Sequence, residues 1–213
     1  MKITEMLLTP SNYTRQQTPI KVTKIAVHYV GNPSSTALAN RNYFEGLSKS
    51  HKTRASSHYI IGLQGEIIRC IPENEQSIAT NSANSYSLSI ECCHFDITGK
   101  FNEFTYNSLV ELCLDICKRY GLNPLVDIIT HNMITGKICP KWFVDYPKEF
   151  DLFKKTVADK LKPIVAIDEL DEALKYICAK SGIDYKTWYK SAKEVKWLDA
   201  CFIKIARAWK DDK

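Results

Sequence analysis

Apolar and polar positions change their spacing block by block along this chain, and the blocks read as alternating strands and helices. Over residues 24–30, Ile25, Val27 and Tyr29 fall on one side of an extended segment and Ala26, His28 and Val30 on the other. Both sides are largely apolar, the pattern of a central strand covered on both faces. Gly31-Asn32-Pro33-Ser34-Ser35 ends it, and residues 36–47 read as a helix closing near Gly46. Residues 58–63 and 66–71 form a strand pair turned at Gln64-Gly65 and stopped by Pro72. Residues 73–87 are polar with few apolar anchors, which predicts a surface loop of the kind that walls binding sites. A further strand covers 88–93.

Thr105 reads as the cap of a long helix. Its apolar positions Leu109, Leu112, Cys113, Ile116, Cys117 and Tyr120 keep the 3.6-residue period until Gly121. Residues 125–130 read as a strand running into His131, and 148–161 as a helix broken by Pro163. The alternation predicts an α/β domain over residues 1–162, with a mixed central β-sheet flanked by helices. Beyond it the pattern changes. Leu170, Leu174 and Ile177 make one helical stripe, and Val195, Leu198, Phe202, Ile205 and Trp209 another. Asp184 is placed to cap a short helix between them. Residues 163–213 therefore read as a small C-terminal three-helix domain, near the lower size limit for folding alone.

Composition narrows the class without deciding function. With 45% apolar and 25% charged residues in 213, the chain has the balance of a soluble globular protein. A net charge of +5 without a basic run favours an anionic polymer over a cationic one, but does not point to nucleic acid. No apolar run is long enough for a membrane span. The amino terminus lacks a signal-peptide core, so the expected location is cytoplasmic until another agent releases the protein. Eight cysteines invite a disulfide reading, but without a secretion signal reduced thiols fit better. Cys113 and Cys117, one helical turn apart, read as core filler.

A few residues are out of place for packing alone. His28 interrupts an apolar strand, where an unpaired imidazole is costly to bury; it is either a core histidine with a backbone partner or a ligand. His131 and Cys139 lie at a strand exit and in the loop after it. Two imidazoles and a thiolate are a zinc set that leaves a fourth position for water. Glu91 sits between Ile90 and Cys92. It is either an exposed or ion-paired strand residue or a carboxylate aimed into a cleft as a proton acceptor. Lys137 is either a solvated loop lysine or a group that stabilises an oxyanion.

Four segments together resemble the zinc amidases of the N-acetylmuramoyl-L-alanine amidase type 2 family, which includes phage lysozyme-like amidases and peptidoglycan recognition proteins. They are Ala26-Val27-His28-Tyr29-Val30-Gly31-Asn32-Pro33, Ser56-Ser57-His58-Tyr59-Ile60-Ile61-Gly62, Ser87-Leu88-Ser89-Ile90-Glu91, and Thr130-His131 with Lys137-Ile138-Cys139-Pro140. They occur in the family's order over roughly residues 6 to 160. The resemblance implies zinc (Zn2+) held by His28, His131 and Cys139, with Glu91 and Lys137 as catalytic residues and Asn32 lining the substrate groove; His58, in a matched segment, either lines that groove or supports the zinc site. Ser89 stands where the family usually has Gly, and Ser57 where some members have Tyr, so no catalytic hydroxyl is assigned there. The implied substrate is the amide between N-acetylmuramic acid and L-alanine of bacterial peptidoglycan. The implied setting is a phage or prophage endolysin, held in the cytoplasm until a holin lets it reach the wall. The C-terminal helices would then bind wall or form a homodimer. The alternative is a module that binds peptidoglycan without cutting it; the presence of Cys139 favours catalysis.

Overall fold

The structure is a computed structural model that describes residues 1–161, 167–182, 184, 186 and 188. The chain divides into two compact units, Met1–Leu161 and Lys162–Lys213. In the first, six strands form one sheet: β1 (Ile3–Glu5), β2 (Lys24–Tyr29), β3 (Tyr59–Ile61), β4 (Ile67–Arg69), β5 (Ser87–Cys92) and β6 (Ile128–Thr130). Their order is β1-β4-β3-β5-β2-β6, and only β3 and β4 run antiparallel. The helices are α1 (Ala37–Ser50), α2 (Glu103–Tyr120), α3 (Pro124–Asp127), α4 (His131–Thr135), α5 (Lys141–Asp145) and α6 (Pro147–Leu161). This is the mixed-sheet α/β architecture that the alternating pattern predicts.

The doubly apolar strand pattern is resolved by two unlike coverings. Ile25, Val27, Leu88, Ile90 and Cys92 face a core built with α2, α5 and α6, including Leu109, Ile116, Phe143 and Phe153. On the other face α1 covers β3 and β4 through Phe44 and Leu47 against Ile60 and Ile68. At the opposite end of that face, Ala83 packs on Ala26 and Ile129. Between these two coverings the sheet face over His28 and Glu91 is left open, at the carboxyl ends of parallel strands β2, β5 and β6. Crevices at that end are where open α/β sheets bind ligands.

Several boundaries differ from the sequence expectation for local reasons. Helix α1 runs through Gly46 to Ser50, because Leu47 is packed into the core and that contact outweighs the roughly 1 kcal/mol that glycine costs. The cap of α2 is Asn102, whose side chain accepts from Thr105 N–H at 3.0 Å; Thr105 instead donates its hydroxyl to Gly62 O at 2.9 Å. Gly121, at φ 65°, ends that helix as expected. The segment read as one strand over 125–130 opens with α3, because Asn123 caps it and Pro124 presets its first turn. Strand β1 and the short helices α4 and α5 carry too few residues for a periodic signal.

In the second unit, α7 (Ile167–Ser181) buries Leu174, Ile177 and Cys178. Beyond it, Trp188 N–H reaches Asp184 O at 3.4 Å. The stripe expected at Val195, Leu198, Phe202, Ile205 and Trp209 lies outside the described residues. The cysteines among the described residues are free, buried thiols.

Candidate metal centre and its cleft

Strand pairing brings the first two site residues together. In parallel strands β2 and β5, His28 lies directly opposite Glu91, so both side chains rise from the same face. On the other side of β2, Val27 pairs with Thr130, which puts His131 one step past the end of β6 beside His28. The His28 and His131 rings meet edge to face with centroids 4.9 Å apart.

Cys139 is delivered by the loop that follows. Thr130 accepts from Met133 N–H at 3.3 Å and starts α4; Gly136, at φ 77°, ends it and reverses the chain. Asn132 then closes the loop, donating its backbone N–H to Cys139 O at 3.0 Å and its side-chain amide to Lys137 O at 2.9 Å. The Cys139 thiol arrives 3.6 Å from His28 Nδ1. One ligand atom from each of His28, His131 and Cys139 lies within 4.8 Å of the others. Ligand atoms around a tetrahedral zinc ion are roughly 3.5 Å apart, so small side-chain adjustments bring this set onto a metal.

The electrostatics suit that purpose. Burial, reinforced by His131 and Lys137, lowers the His28 pKa to about 3, and burial and Lys137 also lower that of His131. Both rings are therefore neutral lone-pair donors at neutral pH. Burial, with the nearby Glu91 charge, pushes the Cys139 thiol up to about 12, against the pull of a backbone hydrogen bond from Tyr29 and of Lys137. Such a thiol has little reason to ionise until a cation takes its sulfur. The donor set, two neutral imidazoles and one thiol in a buried pocket, fits zinc.

Glu91 stands beside the cluster in an unusual state. Burial raises its carboxyl to about 8, and Lys137 offsets part of the rise. Its Oε2 is buried with no hydrogen-bond partner among the described residues. Neither an exposed strand position nor a structural ion pair describes it. Buried polar atoms are rarely left unpaired, and a carboxyl tuned toward neutral pH in a cleft is the arrangement expected of a proton-transfer group. Lys137 is exposed in the cleft wall.

The cleft encloses about 780 Å³. His28, Glu91, His131, Lys137 and Cys139 all line it. Asn32 lies in its wall, as do Tyr43 and Phe44 of α1, Arg54, and Asn81 and Asn84 of the 72–86 loop. His58 does not line it. It is wholly buried, with Nε2 donating to Glu75 O at 2.8 Å and Nδ1 accepting from Ser89 N–H at 3.0 Å. A histidine with both nitrogens spent on the fold has nothing left for substrate, which corrects the groove-lining expectation. Ser57 is likewise buried, donating to backbone carbonyls of Tyr59 and Ser89. His94 is also buried, donating through Nδ1 to Asp96 O at 2.7 Å.

The residues that sequence reading passed over are Thr80 and Asn84. Thr80 Oγ1 lies 2.9 Å from His28 Nε2, and Asn84 Oδ1 accepts the Thr80 N–H at 2.6 Å. Both sit in the polar loop, and its polarity was the sole sequence signal that they held a place in the site.

Residues 16–142 match the family described as N-acetylmuramoyl-L-alanine amidase. The N-acetylmuramoyl-L-alanine amidase CwlL of Bacillus licheniformis is 33% identical over 171 residues, covering 74% of this chain and 47% of its own. The chain thus spans about half the length of the curated relatives it matches. Among solved structures, PlyL superposes with a TM-score of 0.63 at 24% identity, covering 74% of this chain and 97% of its own. A mutant endolysin from Bacillus subtilis gives 0.62 at 22% identity, covering 72% of this chain and 98% of its own. These two likenesses establish a shared fold.

Proposed function

The chain belongs to the N-acetylmuramoyl-L-alanine amidase family, and from that premise we propose that it is a zinc-dependent amidase cutting the bond between N-acetylmuramic acid and L-alanine in bacterial peptidoglycan. The observation that carries this reading is the unpaired Glu91 carboxyl in register with His28, beside a buried cluster of two imidazoles and a thiol. A module that only binds wall has no use for such a carboxyl.

His28, His131 and Cys139 would hold the metal. A zinc ion there supplies Lewis-acid polarisation of the scissile carbonyl and lowers the pKa of water. Glu91 takes the proton of the attacking water and returns it to the leaving amine of L-alanine. Lys137 places its ammonium against the negative charge that develops on the carbonyl oxygen. Asn32 lies in the cleft wall, where its carboxamide can orient the substrate.

The likeness to an endolysin fold supports a phage or prophage endolysin role, with the protein cytoplasmic until a holin opens its way to the wall. The C-terminal unit is then a wall-binding or dimerising appendage. Incubating the purified protein with cell walls and identifying the released ends by mass spectrometry tests the activity. New L-alanine amino termini with intact glycan strands are the expected products; cleavage elsewhere, or none with the metal bound, sinks the reading.

A further inference from the structure

Thr80 has no exposed surface, and its backbone is pinned on both sides. Its N–H donates to Asn84 Oδ1 at 2.6 Å, which also accepts from Ala79 N–H at 3.0 Å, and its carbonyl accepts from Ala83 N–H at 3.1 Å. The next residue, Asn81, turns the chain at φ 53°, a left-handed conformation that asparagine tolerates better than most residues. Ala83 then packs on Ala26 and Ile129 of the sheet. The loop is thus anchored to strands β2 and β6, and the result of that anchoring is one hydroxyl held 2.9 Å from His28 Nε2.

The position of that hydroxyl matters because a neutral imidazole carries a single N–H, on one nitrogen or the other. His28 Nδ1 is the nitrogen facing the Cys139 sulfur, at 3.6 Å. With the hydrogen on Nδ1, the ring has no lone pair to offer a cation shared with Cys139 and His131. With the hydrogen on Nε2, donated to Thr80 Oγ1, the Nδ1 lone pair is free and the ring plane is fixed. Metal-bound histidines commonly have their second nitrogen held in this way.

We propose that Thr80 is a positioning residue for the metal centre: it accepts the Nε2–H of His28 and so selects the tautomer and ring orientation that present Nδ1 to zinc. The proposal rests on the zinc reading of the cleft, and it assigns the 72–86 loop a part in assembling the site. Thr80 acts through His28 and does not itself touch the substrate.

The test compares Thr80→Val, which keeps the shape and removes the acceptor, with Thr80→Ser, which restores it. Zinc affinity is read by competition with a chromophoric chelator. The His28 tautomer is read from ring nitrogen chemical shifts in the metal-free full chain. Thr80→Val is expected to weaken zinc binding by about 10- to 100-fold. It should also convert His28 from mainly Nε2–H to a mixture of tautomers, and Thr80→Ser should restore both properties. A purely structural role would leave the tautomer signal unmoved. If circular dichroism shows Thr80→Val unfolded, Thr80→Ala, which also removes the acceptor, is read in its place by the same two measurements. Unchanged affinity and tautomer in a folded variant overturn the proposal while leaving the amidase reading standing. A wild-type chain that takes up no zinc sinks the metal reading and this proposal with it.

Discussion

His28 and Glu91 are direct partners across the parallel strands β2 and β5, one a neutral imidazole and the other a buried carboxyl with an unpaired oxygen. Strand register alone therefore sets the spacing between the proposed metal ligand and the proposed acid–base group beside it. Glu91→Gln keeps the shape and the proposed metal ligands but removes the proposed base. It is expected to retain zinc, by elemental analysis, while losing about 100- to 10,000-fold in turnover on cell walls. Near-normal turnover would return Glu91 to a structural role.

The same carboxyl should make the metal-free fold less stable as pH rises. Its pKa is raised on folding, from 4.5 to about 8. Such a group contributes most below its unfolded pKa, and the contribution is lost as pH rises through the folded value. Metal-free Glu91→Gln should therefore unfold at a higher temperature than wild type at pH 9, with a gain on the order of a few kcal/mol, and show little gain at pH 4. Equal effects at both pH values would mean that Glu91 is not buried as a neutral acid.

Lys137 opposes the rise in the Glu91 pKa. Lys137→Ala is expected to lower turnover through lost stabilisation of the carbonyl oxygen. It should also move the acidic limb of the kcat/KM profile to higher pH, because the base then holds its proton longer. A loss of rate with an unmoved acidic limb would separate Lys137 from Glu91.

Zinc uptake should release protons in a predictable way. His28 and His131 are neutral beforehand, whereas the Cys139 thiol, pushed up to about 12, is protonated. In a Glu91→Gln background, which silences the other titrating group, binding should release about one proton, measured calorimetrically in buffers of different ionisation enthalpy. Affinity should rise with pH. Cys139→Ser should lose zinc and activity together; full zinc occupancy in that variant would remove Cys139 from the ligand set.

Much of this site was legible in the sequence because it lies on or just past strands. The period of residues 24–30 put Ile25 and Val27 against His28, and the structure uses those two faces as core and cleft. Glu91 stood out as a carboxylate inside an apolar strand. His58 was misplaced because the sequence shows a polar residue in an apolar segment, not whether another buried polar group meets it; Ser89 and Glu75 do. Thr80 was invisible for the converse reason. A threonine in a polar loop is unremarkable until tertiary structure folds that loop over His28, 52 residues earlier. Helix ends failed where a side-chain cap outranked periodicity, as at Asn102 and Asn123.

Glu73 yields a prediction about the loop that carries Thr80. Where that loop leaves the sheet, its carboxylate accepts from Tyr59 Oη at 2.7 Å, Tyr120 Oη at 2.9 Å and Arg119 Nη2 at 2.7 Å. Burial alone would raise its pKa, but the hydrogen bonds from Arg119, Tyr59 and Tyr120 outweigh it and the net shift is downward. A carboxylate with a depressed folded pKa contributes stability above its ordinary pKa, and loses it as pH falls through the folded value. Glu73→Gln keeps an acceptor but drops the charge. Arg119 is partly exposed, so solvent screens its share, and the expected loss at pH 7 is about 1 kcal/mol. The deficit should shrink toward zero as the pH is lowered below the ordinary carboxylate range. Urea unfolding midpoints at neutral and acidic pH measure it. A deficit of the same size at both would mean that side-chain shape, not charge, holds the loop to α2.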